Sequence, residues 1–416
     1  MKQRVEFNLN KIILIMLVIF MILPFSINII GISLAKTFTI LLVLVFIFIF
    51  YKNKEELLNI LKNKFIILNI IFAFTIALSI IFNFRMMKFN DLFEIVKYFI
   101  FAMIAMLTIK ICKNKENYLF LLKTISIVLI LISIFGIVQY FNPFSINEMY
   151  IQSYAPTQYE SLVNDYPSPR IVGTKSNPAV YGLLMSIGVY FNLLYLKNAT
   201  SKKDKILTIM SIILCIINLM LTLTRTIQIA FIASVIIYIL CNVWLEKGPK
   251  KAVIAMICTI LVIVLILCIL PQSLTWRLVQ VLDMSNATSW ILRTEKWSEY
   301  SEVIQKEWLV GIGPVKNYVD TIGHVDSEIV QVALQYGILG LMIYVIMLLS
   351  PLYLYAKNKK YKNLIRFYPS ILTIIIVNNI SNTSLILFDT AIGIYMLIGL
   401  LFVRIEEKEN EEKCNI

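Results

Sequence analysis

The chain has 416 residues, of which 59% are hydrophobic and only 15% are charged, and its mean hydropathy is +0.81. Soluble proteins contain about 45–50% apolar and about 25% charged residues, so this composition excludes a water-soluble globular protein. Apolar runs of roughly 20 residues, each long enough to cross ~30 Å of hydrocarbon, recur along the whole sequence. We therefore predict an all-α polytopic integral membrane protein with a single membrane domain, residues 1–416.

The apolar runs predict about twelve transmembrane helices. A second helix follows the first at once, so the N-terminal run is interpreted as an uncleaved anchor and not as a signal peptide. Two connecting segments are much longer than the others, 142–177 and 271–328. The predicted spans are 12–31, 37–51, 66–84, 92–111, 122–141, 178–196, 206–224, 226–243, 252–270, 329–355, 367–383 and 387–403.

The formal charge of +13 is divided unevenly between the two sides of the predicted bundle. When the segments are assigned alternately, the side that holds both termini carries 26 of the 38 basic and 11 of the 25 acidic residues. Basic loops stay in the cytoplasm, so both termini are predicted to be cytoplasmic and the two long loops to lie outside. The surplus charge is therefore a topology signal and gives no support to nucleic-acid binding.

The two long outer loops differ in their sequence patterns. Segment 142–177 contains four prolines and four tyrosines, which predicts an irregular loop. In segment 271–328, Trp290, Trp297 and Tyr300 share one face at helical spacing, which predicts a helix that lies along the outer membrane surface. Loops carry function more often than the elements they connect, so we expect the chemistry on this side.

Arginines at the predicted outer boundary are candidate anion ligands, because guanidinium is always charged and binds phosphate oxygens through a planar fork. Arg225 lies between two apolar runs. Arg293 lies three and four residues from Trp290 and Trp297, which places it on the predicted buried face. The alternative for both is an arginine that only extends to the membrane interface.

Residues 168–178 form a polar stretch that leads directly into a predicted helix. Arg170 and Lys175 flank Gly173, and Pro178 occupies the first helical turn. A helix N-terminus with two nearby cations would suit an anion, although the spacing is not that of a P-loop. The alternative for Asn177 is a helix cap alone.

His324 and Asp326 are the candidate bases. His324 is the only histidine and titrates near neutral pH. Asp326 and Glu328 stand two residues apart at the start of a long apolar helix, a pattern too short to indicate a metal site by itself. The alternative for Asp326 is an N-cap. The six cysteines have no ligand spacing either, so we predict no metal and no cofactor.

Five short motifs follow one another in the chain. Their order, the helix count and the large late outer loop resemble the O-antigen polymerase and ligase superfamily, the Wzy/WaaL-type glycosyltransferases, over about residues 170–345. The resemblance implies a GT-C-like fold. The motifs are Gly173-Thr174-Lys175-Ser176-Asn177-Pro178, Thr224-Arg225, Arg293-x3-Trp297, Trp308-Leu309-Val310-Gly311-Ile312-Gly313 and Tyr336-Gly337-Ile338-Leu339-Gly340-Leu341.

The resemblance implies a glycosyltransferase with a polyprenyl-diphosphate-linked glycan donor. Ligases of the superfamily tend to have His-Asn where this chain has Asp326-Ser327, and some polysaccharide polymerases look similar to this chain there. We therefore favour a polymerase for capsule, exopolysaccharide or O-antigen, on the outer face of a bacterial cytoplasmic membrane. The alternative is a ligase. A flippase or transporter is less favoured, because the predicted spans have few mid-helix charges.

The resemblance also implies roles for particular residues. Cations would stabilise the diphosphate as the glycosidic bond breaks, and Asp326, ranked above His324, would accept the proton of the acceptor hydroxyl. Asn177, Trp297 and Tyr300 would contact the glycan, since aromatic rings offer flat faces to sugars. The expected partners are the lipid-linked oligosaccharide, the bilayer, and flippase and chain-length regulator proteins. The diphosphate ligands would be Arg225, Arg293, Arg170 and Lys175.

Overall fold

A computed structural model gives the architecture of the chain. It describes residues 2–25, 28–29, 32–51, 53–154, 159, 169–279, 288–314, 325–357 and 362–403. The described part is almost entirely helical, with one antiparallel hairpin in which Asn28 pairs with Ser33 and Ile29 with Ile32. The fold class predicted from composition, all-α and polytopic, is confirmed.

Among the described residues, the first half of the chain contains seven helices and this hairpin. Short 3₁₀ turns at Phe84–Met86, Phe89–Asp91 and Pro143–Ser145 precede two of them. The elements are α1 (Lys2–Ile22), β1 (Asn28–Ile29), β2 (Ile32–Ser33), α2 (Leu34–Tyr51), α3 (Lys54–Leu61), α4 (Lys64–Phe82), α5 (Leu92–Cys112), α6 (Lys115–Phe141) and α7 (Ile146–Tyr154).

The described residues of the second half add nine helices, of which two lie in the large late loop. These elements are α8 (Pro178–Asn198), α9 (Lys202–Leu221), α10 (Arg225–Lys247), α11 (Pro249–Ile269), α12 (Gln272–Val279), α13 (Thr288–Lys306), α14 (Glu328–Lys357), α15 (Lys362–Asn379) and α16 (Phe388–Phe402).

Each of the twelve predicted spans coincides with a helix. Among the described residues, nine helices are long and apolar enough to cross a membrane, and shorter apolar helices cover Leu9–Ile22 and Phe388–Phe402. The first span was predicted too far along the chain, at 12–31, whereas α1 ends at Ile22. Pro24 explains the difference, because helices usually end at or before the residue that precedes a proline.

Segment 142–177 is also less irregular than predicted. Its first part folds into α7, which begins after three residues with positive φ, Asn142, Phe144 and Ser145. Segment 271–328 contains α12 and the predicted surface helix α13. The apolar face of α13 packs on the start of α14 through Tyr300, so this face contacts protein where we had predicted membrane.

Ion pairs and hydrogen bonds collect at one end of the bundle, here called the lysine end. They join segments that the sequence assigned to the side with both termini, including the connection before α4 and the one after α5. The side-chain contacts are Lys11–Glu116, Glu56 with Lys110 and Lys113, Lys123–Asp204, Lys197–Asn363 and Glu246–Arg366. The contacts therefore join segments that the alternating assignment places on the same side of the bundle.

Candidate active site

The opposite end of the bundle, here called the loop end, holds the residues that the sequence singled out. It consists of residues 169–177, 222–226, 325–328 and 378–387, together with α13, which carries Arg293, Trp297 and Tyr300. The first four segments are connections between helices with the helix ends next to them, so the backbone groups outside the helices need partners from neighbouring segments. The contacts described below supply those partners and bring the segments together.

Arg225 begins α10 after a tight turn. Leu223 in this turn has a φ of 50°, the left-handed conformation that reverses the chain between α9 and α10. The Arg225 side chain is half-buried. The next residue, Thr226, forms a 2.6 Å hydroxyl–hydroxyl hydrogen bond with Ser381 in the connection between α15 and α16.

Arg170 lies against the same turn. Its Nε donates to the carbonyl of Thr222 at 3.2 Å, and its Nη2 donates to the hydroxyl of Thr224 at 3.1 Å. The Ile171 amide adds a 3.3 Å bond to the Leu221 carbonyl. The structure therefore places two of the predicted cations at one turn, and Arg170 uses part of its guanidinium to hold that turn.

Lys175 is fully buried and its ammonium contacts only protein groups. Nζ donates to the carbonyl of Leu23 at 2.9 Å and lies 3.3 Å from the Asp389 carboxylate, which also accepts from the Phe25 amide. Burial lowers the pKa of Lys175, and Asp389 opposes that shift. Because the charge is used inside the protein, this geometry argues against the predicted diphosphate contact and assigns Lys175 to the scaffold.

Asn177 is the N-cap of α8. Its side-chain oxygen accepts from the Ala179 amide at 2.7 Å, and Pro178 follows at the first helical position. The interpretation of Asn177 as a cap is confirmed, while a glycan contact stays a prediction.

Arg293 and Asp326 form an ion pair between α13 and the start of α14. The guanidinium Nε donates to a carboxylate oxygen at 3.2 Å, and the two side chains are 28% and 40% exposed. The contact uses the Nε of the guanidinium, and within the described part of the chain Asp326 is its recorded partner. The candidate base and a candidate diphosphate ligand are thus neighbours.

Trp297 and Tyr300 lie on the same face of α13 as Arg293. The Trp297 ring is half-buried and meets Trp290 edge to face at 5.6 Å. Tyr300 is only 1% exposed and packs with Ile312 and Leu334. Burial, helped by the negative charge of Asp326, raises the pKa of Tyr300. Tyr300 therefore supports the Arg293–Asp326 pair by its packing between α13 and α14. Its ring does not offer a free face to a sugar.

His324 lies outside the described residues. Asp326 and Glu328 do not face the same space, because Glu328 is fully buried and bonds to Tyr344 and to the connection between α15 and α16. Among the residues that the structure describes, no three His, Cys, Asp or Glu side chains are grouped as a metal site would require.

Two of the glycine motifs meet backbone to backbone. Helix α14 is interrupted at Gly337, where φ is 62° and ψ is −165°. The freed carbonyls of Leu334 and Gln335 accept from the amides of Ile312 and Gly313 at 3.0 and 2.9 Å. A Cβ on Gly337 would lie 2.4 Å from the Leu309 backbone. Close approach of the chains therefore explains why both motifs contain glycine.

Sequence reasoning interprets Asn378 and Asn379 as polar contacts between helices, and it missed the ion pair between Glu94 and Lys97 near this end. The connection between α15 and α16 is irregular but buried, and Asn378 and Asn379 bond to Ser384 and Tyr344 there. At the start of α5, Glu94 and Lys97 form an ion pair whose side chains are 14% and 5% exposed. Charges one helical turn apart inside a predicted span were the available signal for this pair.

Comparison with known proteins bears on the middle of the chain. Residues 209–345, about a third of the sequence, match the Wzy_C family model, described as O-antigen ligase. The matched segment contains Arg225, Arg293 and Asp326 and ends in α14 beyond the Gly337 interruption. A search of curated proteins gave no match. The resemblance predicted from the motifs is confirmed over this segment, which is similar to the O-antigen polymerase and ligase superfamily.

Proposed function

We propose that this protein is a polymerase that joins polyprenyl-diphosphate-linked oligosaccharide repeat units into a surface polysaccharide. The observation that carries the proposal is the contact between the Arg293 guanidinium and the Asp326 carboxylate within the family segment. The contact places a guanidinium, which suits an anionic leaving group, beside a carboxylate, which can accept a proton. We place the site on the outer face of a bacterial cytoplasmic membrane.

In the proposed reaction, a hydroxyl of the acceptor glycan attacks the anomeric carbon of the donor repeat. The bond from that carbon to the diphosphate oxygen breaks, and the leaving lipid diphosphate keeps the electron pair. The proton of the hydroxyl goes to Asp326. Donors aimed at developing charge contribute most when they are already in place, and Arg293 is held in place by Asp326 and by the packing of α13.

Arg225 is proposed as the second diphosphate ligand, because it is half-buried at the start of α10 and joins the loop end through Thr226. A helix N-terminus adds favourable potential for an anion. Arg170 supports the turn that carries Arg225. Asn177 and Trp297 are proposed glycan contacts, and Trp297 retains a partly exposed ring.

A ligase that transfers a finished glycan to another acceptor is the second candidate, since the matching family is described as O-antigen ligase. The Asp326-Ser327 pair favours the polymerase through the resemblance described above. The products distinguish the two functions. Loss of a polymerase leaves single repeat units on the lipid carrier, whereas loss of a ligase leaves long polymer on that carrier.

The proposed diphosphate ligands are tested by Arg225→Lys and Arg293→Lys. Lysine keeps the charge but loses the planar fork, so each variant should make little or no long polymer at normal expression. Losing one such donor typically costs about 10²–10³ in rate. Chain-length ladders of surface polysaccharide provide the measurement. Arg366→Lys, at the lysine end, is the matched control and should give the wild-type ladder.

If Arg225 and Arg293 only extend to the membrane interface, lysine would serve equally well. Wild-type ladders from both lysine variants at matched expression would therefore refute the diphosphate assignment.

We further propose that the reaction needs no divalent metal, because guanidinium groups can meet the phosphate charge. Purified protein should form polymer in the presence of a chelator at the rate seen without it. Complete loss of polymer in chelator, restored by manganese, would contradict this and would turn attention to Asp326 as a ligand.

A further inference from the structure

The connection between α15 and α16, residues 380–387, is not helical, yet it is buried. Ser381, Ser384 and Leu385 are 3%, 0% and 1% exposed. Buried backbone amides outside regular structure need acceptors, since leaving them unpaired is costly. In this segment, here called the clasp loop, the amides of Ser381 and Asn382 bond to the Asn378 carbonyl, and the amides of Ser384 and Leu385 need acceptors from elsewhere.

Glu328, the first residue of α14, supplies those acceptors. Its carboxylate accepts from the Ser384 amide and, at 2.9 Å, from the Leu385 amide. The Tyr344 hydroxyl donates to the other oxygen at 2.6 Å and itself accepts from Asn379 at 2.8 Å. A buried carboxylate loses its hydration at considerable cost, and here several donors and the start of a helix offset that cost.

Further hydrogen bonds link the connection between α15 and α16 to the residues that follow Asp326 and Arg225. Ser327 donates to the carbonyl of Asn379 at 2.9 Å, immediately after Asp326. At the other side, Ser381 bonds to Thr226, immediately after Arg225. The clasp loop therefore connects the start of α14 to the start of α10, and each connection is one residue away from a proposed reacting group.

We propose that Glu328 is a positioning residue that fixes the spacing between Arg225 and the Arg293–Asp326 pair by holding the clasp loop. This proposal rests on the proposed function. Glu328 itself does not touch the substrate, because its side chain is fully enclosed by protein. The shape and charge of its carboxylate affect the site through the two clasp-loop backbone amides that donate to it.

Glu328→Gln tests this role. The amide has the same size but no charge, and only one of its two ends can accept, so the hydrogen bonds from Tyr344 and from the Ser384 and Leu385 amides cannot all be kept. Amide hydrogen exchange at residues 380–387 should therefore rise. Polymer formation should fall about 10²-fold, the loss expected when a reacting group is misplaced by about 1 Å. Binding of undecaprenyl diphosphate should weaken much less than polymer formation falls, because both arginines remain present and only their spacing changes.

Tyr368→Phe is the matched control. It removes a buried hydroxyl that donates to the Leu348 carbonyl at 2.7 Å, between α14 and α15 and away from the clasp loop. It should lower thermal stability without faster exchange at 380–387 and without loss of polymer. Ser381→Ala is the second variant, for use if Glu328→Gln does not fold, and it should raise exchange and reduce polymer in the same way.

Unchanged exchange at 380–387 in Glu328→Gln would overturn the proposal, as would a loss of polymer that only follows thermal stability as in Tyr368→Phe. A wild-type protein that neither forms polymer nor binds undecaprenyl diphosphate would overturn the proposed function instead. The exchange measurement would still decide whether Glu328 holds the loop.

Discussion

Arg293 and Asp326 illustrate what single residues reveal before a structure exists. The spacing of Arg293 from Trp290 and Trp297 predicts that it faces the buried side of its helix, and it does. No local pattern connects it to Asp326, which is 33 residues away and yet lies within hydrogen-bond distance. Periodicity specifies which way a side chain faces on its own helix, whereas the partner depends on how distant segments pack.

Lys175 is the opposite case. Its residue type suggests a diphosphate ligand, whereas its burial indicates a structural role inside the protein. Its lowered pKa means that the unfolded chain binds its proton more tightly than the folded protein does. Folding stability from this group should therefore increase as pH rises from the lowered pKa toward the usual lysine value, about 10.4.

This pH dependence can be measured as the difference in Tm between wild type and Lys175→Met in detergent. We expect the difference to shift in favour of wild type as the pH rises toward the usual lysine pKa, about 10.4, since methionine has no proton to release there. A difference that does not change with pH, or that shifts the other way, would show that the ammonium is not desolvated in the folded protein.

At the scale of elements, the crossing of residues 308–313 over the interruption in α14 is the most constrained feature. Within a membrane every backbone polar group needs a protein partner. The interruption frees carbonyls of α14, and the amides of Ile312 and Gly313 together with the Ser79 hydroxyl satisfy them. The glycine motifs quoted for the family resemblance are therefore explained by packing.

Gly337→Ala should disrupt this crossing. The φ and ψ of Gly337 belong to a region that is essentially restricted to glycine, and the added methyl group would overlap the Leu309 backbone. Strained backbone alone costs about 1–3 kcal/mol, so we expect a lower Tm and less folded protein.

Gly393→Ala provides the comparison for that experiment. Gly393 is helical, and a Cβ there would meet only the flexible Met21 side chain at 3.4 Å. Alanine also favours helix by about 1 kcal/mol over glycine. This variant should be as stable as wild type or more stable. Equal stability of the two variants would mean that the crossing at Gly337 does not have the close approach described.

The positions of the helices were predictable from sequence because each apolar run must find hydrocarbon or protein, and only helices satisfy the backbone there. The exceptions have local causes. Pro24 ends α1 early, and α7 forms within a segment whose prolines suggested irregular chain. The clasp loop lies at the end of a predicted span, and its burial depends on Glu328 from a distant helix. Hydrogen bonds between residues so far apart in the chain leave no periodic pattern in the sequence.

At the scale of the whole molecule, the charge distribution in the sequence and the side-chain contacts in the structure distinguish the same two ends of the bundle. The lysine end gathers ion pairs among segments assigned to the side with both termini, and the loop end gathers Arg225, Arg293 and Asp326. Contacts alone do not state which end faces the cytoplasm. The excess of basic residues predicts that the lysine end does, because positively charged loops are retained on the cytoplasmic side.

We therefore predict that the loop end faces outward, and cysteine labelling in intact cells can test this. In a background with the native cysteines replaced by serine, Glu299→Cys on the exposed face of α13 should react with a membrane-impermeant maleimide. Lys203→Cys, equally exposed at the start of α9, should react only after the cells are opened. Exposure is matched, so the difference reports sidedness alone. The reverse labelling pattern would place the Arg293–Asp326 pair in the cytoplasm, where it would meet cytoplasmic donors, and would refute polymerisation on the outer face.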